Sequence, residues 1–410
     1  MSNKARYVDI GRFFPVFILI LMLFCSHDTL LFGTNKNELF ISICEIIPFA
    51  IIAMTVPYVL SLQFIDTKKM IPILLLVFLP FLSCIVNKES YNNYIYRAAI
   101  IIASAFLVLL YDYKRIFHIY NKIMKFLAIW SCVVWLISLL SPEVIELFPV
   151  INNSQSLEYH FLGFSNVCYI EGLSRNLSIF REPGVYVIFL VIALIAEIHI
   201  LDNKKKKLNL IIYCVALFTT FSTAGYILLF ILAIYYLFIK HDSKREAVFI
   251  IGTIIIGFVM ANQFGMLDVL FEKFSYGTNT YGSWLARLSS LTKNIEISFK
   301  NPFFGIGRYA LYDTTLAVDG TYTSDANTNT ILIGSAAYGL LFGGLCLFSC
   351  LRFSYVVCGE KILSTVIISL ILLAALSNED MGQNYVYYII IFLGLFTPSE
   401  TVEKEIEKKV

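Results

Sequence analysis

The sequence has few charged residues for its length. Only 15% of the 410 residues are Asp, Glu, Lys or Arg, whereas 58% are hydrophobic, and the mean hydropathy is +0.76. An ordinary soluble domain is about 45–50% apolar and about 25% charged. The composition therefore excludes a water-soluble enzyme and places the chain in a lipid bilayer.

The sequence also lacks an excess of charge of either sign. It contains 31 Lys and Arg residues against 29 Asp and Glu residues, so its formal net charge is +2. A nucleic-acid-binding protein normally carries a concentrated basic face. The near balance argues against nucleic acid as a partner.

Patterns typical of metal or redox sites are missing as well. The five His residues are scattered, and the nine Cys residues include no Cys-x-x-Cys pair of the kind that binds zinc. Cys346 and Cys350 stand one helical turn apart in an apolar stretch, where cysteine is a small core residue. The predicted outer loops contain no Asp-x-Asp motif. We therefore predict no metal site and no cofactor.

The sequence does contain a series of long apolar runs. About 20 apolar residues cross the hydrocarbon core as a helix, so the runs predict about twelve transmembrane helices. Unbroken apolar runs do not give the alternating pattern of a membrane β-barrel. The sequence thus predicts an all-α polytopic membrane protein. The predicted spans are 13–32, 39–64, 70–86, 95–111, 119–140, 184–201, 208–222, 225–239, 247–262, 328–350, 361–377 and 384–397.

The distribution of basic residues predicts the orientation of these spans. An even number of spans puts both termini on one side of the membrane. About two thirds of the 31 Lys and Arg residues fall on that side, and cytoplasmic loops are enriched in such residues. We therefore expect both termini in the cytoplasm.

Two predicted outer segments, 141–183 and 263–327, are longer than ordinary connections. Long loops in compact proteins are often functional. The predicted organisation is N-terminal transmembrane helices at 1–140, a periplasmic segment at 141–183, central transmembrane helices at 184–262, a large periplasmic loop with an amphipathic helix at 263–327, C-terminal transmembrane helices at 328–397 and a cytoplasmic tail at 398–410.

The stretch Arg181-Glu182-Pro183-Gly184 stands at the start of a predicted span. Proline in the first turn and an acidic residue near the positive end of the helix dipole make a good helix start. The rigid guanidinium fork of Arg181 also suits phosphate oxygens, and a helix N-terminus adds backbone N–H donors. The residues alone leave two hypotheses open, an anion site at the outer leaflet and a structural Arg181–Glu182 pair.

An amphipathic helix is predicted in the second outer segment, before the turn-forming stretch 301–308. Its apolar residues recur at intervals of three and four. They are Leu285, Leu288, Leu291, Ile295 and Phe299. We expect this helix to lie along the membrane surface, with Arg287, Lys293 and Lys300 on its opposite side. Anchoring to lipid is a sufficient explanation of this pattern without any chemistry.

Two further polar clusters are predicted at the outer membrane face. Asp325 belongs to the cluster 324–330, which leads into a predicted span, and a helix cap is the commonest role of such residues. The cluster nevertheless opens at the same face as Arg181. The acidic turn 377–384 is the other candidate, and its simplest role is to solvate the loop.

Three short motifs in this order resemble a known family. They are Arg-Glu-Pro-Gly at 181–184, Ser-Thr-Ala-Gly at 222–225 and Asn-Pro-Phe-Phe-Gly-Ile-Gly at 301–307, the last following Arg287 in a long outer loop. This arrangement resembles the O-antigen polymerases (Wzy type) and the related O-antigen ligases. The resemblance covers about residues 165–345, and the N-terminal spans match in topology only.

One departure from the family pattern separates its two branches. In many relatives the outer loop ends in a His-Asn pair that enters the next helix before a Gly-x-x-Gly. Here Asn329 matches the Asn and Gly339 matches the first glycine, but Thr328 stands where the His would be. The missing His removes a base candidate typical of the ligases, so the resemblance favours a polymerase.

The resemblance implies a GT-C-type, metal-independent, inverting glycosyltransferase of the bacterial inner (plasma) membrane without a cofactor, and it makes the two outer segments periplasmic. Its substrate would be an oligosaccharide on undecaprenyl diphosphate at the periplasmic face, and its partners would be membrane lipids and a chain-length regulator protein. Arg181 and Arg287 would bind the diphosphates, while Glu182 and Asp325 are the acidic catalytic candidates. The substrate-binding candidates are Arg308, Asn329, Tyr186 and Arg175.

Two other functions remain open from the sequence. An O-antigen ligase would use the same donor and transfer the glycan to the lipid A core. A lipid-linked-sugar flippase or transporter would show internal repeats and charged or broken helices near the bilayer midplane. We find no convincing repeat, and few ionisable residues, such as Glu45 and Glu197, lie inside the predicted spans.

Overall fold

The computed structural model of the chain is mostly helical. It describes residues 11, 13–62, 67–153, 157–170, 173–202, 204–237, 252, 279–312, 327–359 and 361–397. In these ranges the helices are α1 (Phe14–Phe24), α2 (Leu30–Gly33), α3 (Glu38–Leu60), α4 (Thr67–Val86), α5 (Asn92–Leu110), α6 (Tyr113–Leu140), α7 (Pro142–Ile145), α8 (Pro183–His199), α9 (Lys206–Phe218), α10 (Thr223–Tyr235), α11 (Asn279–Lys300), α12 (Arg308–Tyr312), α13 (Thr330–Tyr338), α14 (Leu340–Val357), α15 (Ile362–Leu376) and α16 (Tyr385–Phe396).

Five of these helices, α3, α4, α5, α6 and α14, are long and apolar enough to cross a membrane. The helices α1, α8, α10, α15 and α16 are shorter but also apolar. This architecture fits the predicted helical membrane protein. The count of twelve spans stays a prediction, and almost all of the predicted span 247–262 lies outside the described residues.

The long helices differ in how they use their apolar side chains. Helices α3, α4 and α6 bury only a minority of their residues inside the protein. For example, the side chains of Ile46, Leu74 and Phe78 are each more than half exposed. Such extended exposed apolar surface marks a contact with lipid or with another molecule. In contrast, the side chains of α8 and α16 are almost entirely buried, and most of those of α5 are buried as well. These three helices therefore form the centre of the bundle.

The tenth predicted span is broken at Gly339 into α13 and α14. Gly339 has a φ of +95°, which side-chain-bearing residues rarely adopt. The break frees backbone carbonyls, and the backbone N–H groups of Ile306 and Gly307 donate to the carbonyls of Ala336 and Ala337 at 3.0 and 3.1 Å. A broken helix is tolerated in a membrane when its free polar groups find partners. The apolar run predicted one continuous helix because hydropathy does not register such a break.

The segment 141–183 contains strands that the sequence analysis did not predict. A three-stranded antiparallel sheet has the order β1-β2-β3, and β4 pairs with β5. The strands are β1 (Val150–Asn152), β2 (Glu158–Phe161), β3 (Asn166–Val167), β4 (Tyr169–Ile170) and β5 (Leu173–Ser174). Strands of two to four residues are too short to give a detectable alternating pattern. The indole N–H groups of Trp130 and Trp135 in α6 tie this segment to the bundle by donating to the carbonyls of Leu162 and Ser174.

The predicted amphipathic helix forms as α11. Its apolar residues Leu288, Leu291, Ile295 and Phe299 are exposed, as expected for a face that contacts lipid. Another side of α11, away from this apolar face, is buried, which the sequence analysis did not predict. It packs against the protein through small polar side chains, which are those of Ser290, Asn294 and Ser298.

Candidate active site

Eight ionisable side chains gather at one end of the three central helices. Arg181 and Glu182 immediately precede α8, Glu379 and Asp380 lie in the turn before α16, and Arg97 is in the second turn of α5. The cluster contains four guanidinium groups and four carboxyl groups, from Arg97, Arg181, Arg287, Arg308, Asp28, Glu182, Glu379 and Asp380.

A short backbone pairing places Arg181 in this cluster. The N–H of Arg181 donates to the carbonyl of Asp28 at 2.9 Å, and the N–H of Leu30 donates to the carbonyl of Ile179 at 3.0 Å. The turn after α1 and the residues before α8 thus run antiparallel. This pairing holds the backbone of Arg181 beside Asp28 and thereby positions the Arg181 side chain in the cluster.

The guanidinium of Arg181 contacts three carboxyl groups. Its Nε lies 3.5 Å from Asp28 Oδ1, its Nη1 lies 3.1 Å from Glu182 Oε1, and its Nη2 lies 3.3 Å from Glu379 Oε2. Burial alone would lower the pKa of Arg181, but the carboxylates, Glu379 first, outweigh burial and raise it. A guanidinium has five N–H donors, so these contacts leave only part of the fork for a ligand.

The pKa of Asp28 is raised above its ordinary value because the residue is buried, although Arg181 and Asn384 oppose that effect. The side-chain amide of Asn384 donates to Asp28 Oδ2. Asn384 also caps α16, since its Oδ1 accepts from the N–H of Val386 at 2.8 Å. One amide therefore joins the start of α16 to the carboxyl group beside Arg181.

Arg287 has the most exposed side chain of the four arginines in the cluster. Its side chain is 36% exposed, and its Nη2 lies 4.0 Å from Glu379 Oε1. It is spaced three and seven residues from Ser290 and Asn294, so all three share the face of α11 that packs on the protein. The sequence predicts Arg287 on the same side of the helix as Lys293 and Lys300, whereas in the structure it lies on the side that packs on the protein. Lys300 instead pairs with Glu296 on the exposed surface.

Arg308 and Asp380 form the second ion pair of the cluster. The Nη1 of Arg308 lies 3.1 Å from Asp380 Oδ2, which also accepts from the hydroxyl of Tyr312. Burial alone would raise the pKa of Asp380, but Arg308 and then Arg97 outweigh burial and hold it at about 2. Asp380 is therefore a permanent anion at any physiological pH.

The carboxylate of Glu89 fixes the backbone of Arg308. It accepts from the N–H groups of Arg308 and Ala310, both at 3.0 Å, and from the hydroxyl of Tyr94. Two orphan donors at the start of α12 are thereby satisfied. The guanidinium of Arg308 also stacks on the ring of Tyr312, with its central carbon 4.9 Å from the ring centroid.

Arg97 is the deepest arginine of the cluster and only 2% exposed. Its Nη1 donates to the hydroxyl of Tyr388 at 3.2 Å, and its central carbon lies 4.9 Å from the centroid of the Tyr338 ring. Its Nε and Nη2 have no hydrogen-bond partner among the described residues. Since Arg97 interacts electrostatically with Asp380, that carboxylate balances two guanidinium groups.

The carboxyl groups of Glu182 and Glu379 both contact the guanidinium of Arg181, at 3.1 and 3.3 Å, and Glu182 lies close enough to raise the pKa of Glu379. The side chain of Glu379 is only 10% exposed, whereas that of Glu182 is 48% exposed. Burial raises the pKa of Glu379 to about 8, Glu182 adds to the effect, and Arg181 and Arg287 oppose it. Glu182 is the N-cap residue of α8 and Pro183 begins the helix, as the helix-start hypothesis expects, although the Glu182 side chain accepts no capping hydrogen bond.

The structure places the other predicted site residues outside this cluster or at its edge. Asn329 adopts a left-handed conformation, caps α13 and donates to the hydroxyl of Ser377 at 3.0 Å. Tyr186 is fully buried and hydrogen-bonded to Ser131, so it is a packing residue and not a substrate contact. Arg175 interacts electrostatically with Tyr226 in α10. Asp325 lies outside the described residues.

Sequence reasoning missed half of the cluster. The one sequence signal for Asp28 is that it places a charged residue within the apolar run 13–32. Glu379 and Asp380 were visible only as an acidic turn, and Arg97 only as a basic residue near the start of a span. None of these four could be assigned to Arg181 or Arg308 without the fold, because the partners are far apart in the chain.

Within the described residues, no three His, Cys, Asp or Glu side chains are placed to hold a metal ion together. The groups that the structure does bring together are guanidinium and carboxyl groups, which bind anions and transfer protons. Compared with protein-family models and with curated proteins, the chain matches no family and no curated protein.

Proposed function

We propose that the chain polymerises undecaprenyl-diphosphate-linked oligosaccharide repeat units into an O-antigen or a related surface polysaccharide. The growing glycan is transferred from its lipid carrier to a sugar hydroxyl of a new lipid-linked unit, and undecaprenyl diphosphate is released. The reaction takes place at the periplasmic face of a GT-C-type inner-membrane glycosyltransferase. It is metal-independent and inverts the configuration of the donor carbon.

The observation that carries the proposal is the convergence of Arg181 and Arg287 on Glu379. These residues come from three separate parts of the chain, and two of them belong to motifs that resemble the polymerase family. A surface whose arginines served only to make exposed ion pairs would not require such convergence. A partly exposed guanidinium beside the N-terminus of α8 is suited to a diphosphate, because the helix end adds positive potential.

The chemistry requires positive charge where the leaving group becomes anionic. When the bond between the donor carbon and the diphosphate oxygen breaks, the electron pair stays on the diphosphate. Arg287 has the more exposed fork of the two arginines, and its one ion pair within the described residues is the long contact to Glu379, so it can turn toward the phosphate oxygens. Losing one preorganised donor of this kind typically costs about 2.7–4 kcal/mol of barrier.

Arg181 has a different part in this proposal. Its contacts with Asp28, Glu182 and Glu379 commit most of its fork before a ligand arrives. It therefore holds the carboxyl groups in place and contributes its remaining donors and its charge to the diphosphate. Arg308 is paired with Asp380 and supports the site indirectly.

A ligase and a transporter are the alternatives. No contact in the described residues favours a lipid A core as acceptor. The break at Gly339 resembles the broken helices of transporters, but the backbone of Ile306 and Gly307 occupies the freed carbonyls. Because those carbonyls already have partners, the break does not supply an open site for a coupling ion.

The proposed topology can be tested with reporter fusions. Fusions after Lys207 and Lys244 should report cytoplasm, and fusions near Ser165 and Thr292 should report periplasm, because basic residues mark the cytoplasmic loops. Alkaline phosphatase and green fluorescent protein fusions give opposite readouts at each position. A cytoplasmic signal at Thr292 would place Arg287 on the wrong side for a periplasmic donor and would end the proposal.

The activity itself can be tested with purified protein and lipid-linked repeat units. We expect polymer to form in excess EDTA, because arginines supply the positive charge.

Gels of the surface polysaccharide from a deletion strain should show one repeat unit on the lipid core. Absence of any repeat unit would indicate a ligase or flippase, and activity that returns only with magnesium or manganese would contradict metal independence.

A further inference from the structure

Glu182 and Glu379 form a carboxyl pair that the sequence did not connect. Both contact the guanidinium of Arg181, at 3.1 and 3.3 Å, although they precede different helices, α8 and α16. Gly184 allows the approach, because a Cβ there would lie 3.0 Å from Glu379 Oε1. Two carboxyl groups in contact cannot both ionise readily, so the pair holds one proton over a wide pH range.

The two members of the pair have different surroundings. Glu379 is buried and faces Arg181 before α8, Arg287 in α11 and Glu182, and its neighbour Asp380 is committed to Arg308. Glu182 is about half exposed. Glu379 therefore keeps the shared proton, and the more exposed Glu182 is the member of the pair that a substrate can reach.

We propose that Glu182 is the general base that takes the proton of the acceptor hydroxyl, and that Glu379 is a positioning residue that keeps the shared proton. This inference rests on the proposed function and assigns the base within it. Arg287, at the other oxygen of Glu379, is then available for the leaving diphosphate. One cluster thus contains the base and the charge that stabilises the leaving group.

The step is balanced with these groups alone. The acceptor oxygen forms a bond to the donor carbon, and the bond from that carbon to the diphosphate oxygen breaks. The hydroxyl proton moves to Glu182, and the electron pair of the broken bond stays on the diphosphate. Both carboxyl groups are then protonated, and Glu182 returns its proton to water before the next cycle.

The pair also predicts a pH dependence. The buried Glu379 loses its proton as the pH rises through about 8. A second negative charge then lies beside the position where the diphosphate charge grows, so the rate should fall. Replacement of Glu379 with Gln keeps a donor to Glu182 but removes the ionisation. The alkaline fall in rate should therefore move to higher pH in that variant.

The test compares Glu182→Gln, Glu379→Gln and the control Glu296→Gln in purified protein with lipid-linked repeat units. Glu296 is an exposed carboxylate on α11 that pairs with Lys300. Glu182→Gln should lower kcat by about 10²–10⁴, which is the usual contribution of a general base, and leave donor binding unchanged. Glu379→Gln should keep kcat within about tenfold at pH 7. Glu296→Gln should resemble the unchanged protein.

Two results would overturn the inference while leaving the proposed function intact. One is a near-normal kcat in Glu182→Gln, and the other is an unshifted alkaline limb in Glu379→Gln. Binding of the undecaprenyl-diphosphate-linked donor is measured in parallel on each variant. If the unchanged protein neither binds this donor nor makes polymer, the proposed function itself is wrong.

Discussion

Replacing Arg287 with Lys should abolish most polymer formation while leaving protein levels normal. Lys keeps the charge but not the bidentate fork, and it cannot contact two phosphate oxygens in the same way. The expected loss in kcat is about 10²–10³, the usual cost of one missing donor to a developing anion. In the part of the chain that the structure describes, Arg287 makes one ion pair, at 4.0 Å to Glu379, and Glu379 also contacts Arg181, so folding should be little affected.

Lys293→Ala is the matched control for Arg287→Lys. Lys293 belongs to the same helix, but six residues place it about 240° around the helix from Arg287. Its removal changes the charge of the loop more than Arg287→Lys does, and we expect little change in polymer. Polymer is measured with purified protein at equal concentrations, and abundance is measured by immunoblot of membranes.

Equal damage from Arg287→Lys and Lys293→Ala would show that only the total charge of the segment matters. Normal polymer from Arg287→Lys would remove the specific phosphate contact. Arg181→Lys gives a third comparison. Because Arg181 holds three carboxyl groups, its replacement should reduce both polymer and abundance, in contrast to Arg287→Lys.

Replacing Asp380 with Asn should give the largest loss of stability. Asp380 balances Arg308 and Arg97, and the side chains of Asp380 and Arg308 are 13% and 17% exposed. Removing one partner leaves buried positive charge without compensation, which typically costs about 3–5 kcal/mol. The variant should aggregate during solubilisation and melt at lower temperature, as measured by size-exclusion chromatography and a thermal shift in detergent.

The double variant Asp380→Asn with Arg308→Gln separates charge from packing. It removes both members of the pair, so part of the lost stability should return. Glu296→Gln is the control, because its exposed pair with Lys300 should contribute about 0–1 kcal/mol at most. A double variant less stable than Asp380→Asn would show that the uncompensated charge of Arg308 is not the cause of the loss.

The same ion pair predicts how stability depends on pH. The pKa of Asp380 is about 2 in the folded protein, below its ordinary value in an unfolded chain of about 3.9. Its contribution is therefore fully present above pH about 3.9 and is lost as the pH falls through about 2. Asp380→Asn should remove this acid-sensitive part, so its thermal stability should change less with pH in that range.

The sequence by itself determined the class of protein and the side chains that needed explanation. Apolar runs of this length have no stable place except in lipid as helices, so composition and hydropathy suffice for the architecture. Arg181, Arg287 and Arg308 stood out because they lie in or beside the short motifs that resemble the polymerase family. Local patterns also predicted α11 and its exposed apolar face, since that face depends on residue spacing alone.

The tertiary structure decided which charges meet. Arg181 and Glu379 are separated by 198 residues, and no local pattern distinguishes a carboxylate that solvates a turn from one buried against a guanidinium. It also decided that Arg287 faces the protein, that Tyr186 is buried, and that one apolar run breaks at Gly339. The physical reason is that burial, pairing and proton affinity depend on what surrounds a side chain in space, which neighbours in the sequence do not specify.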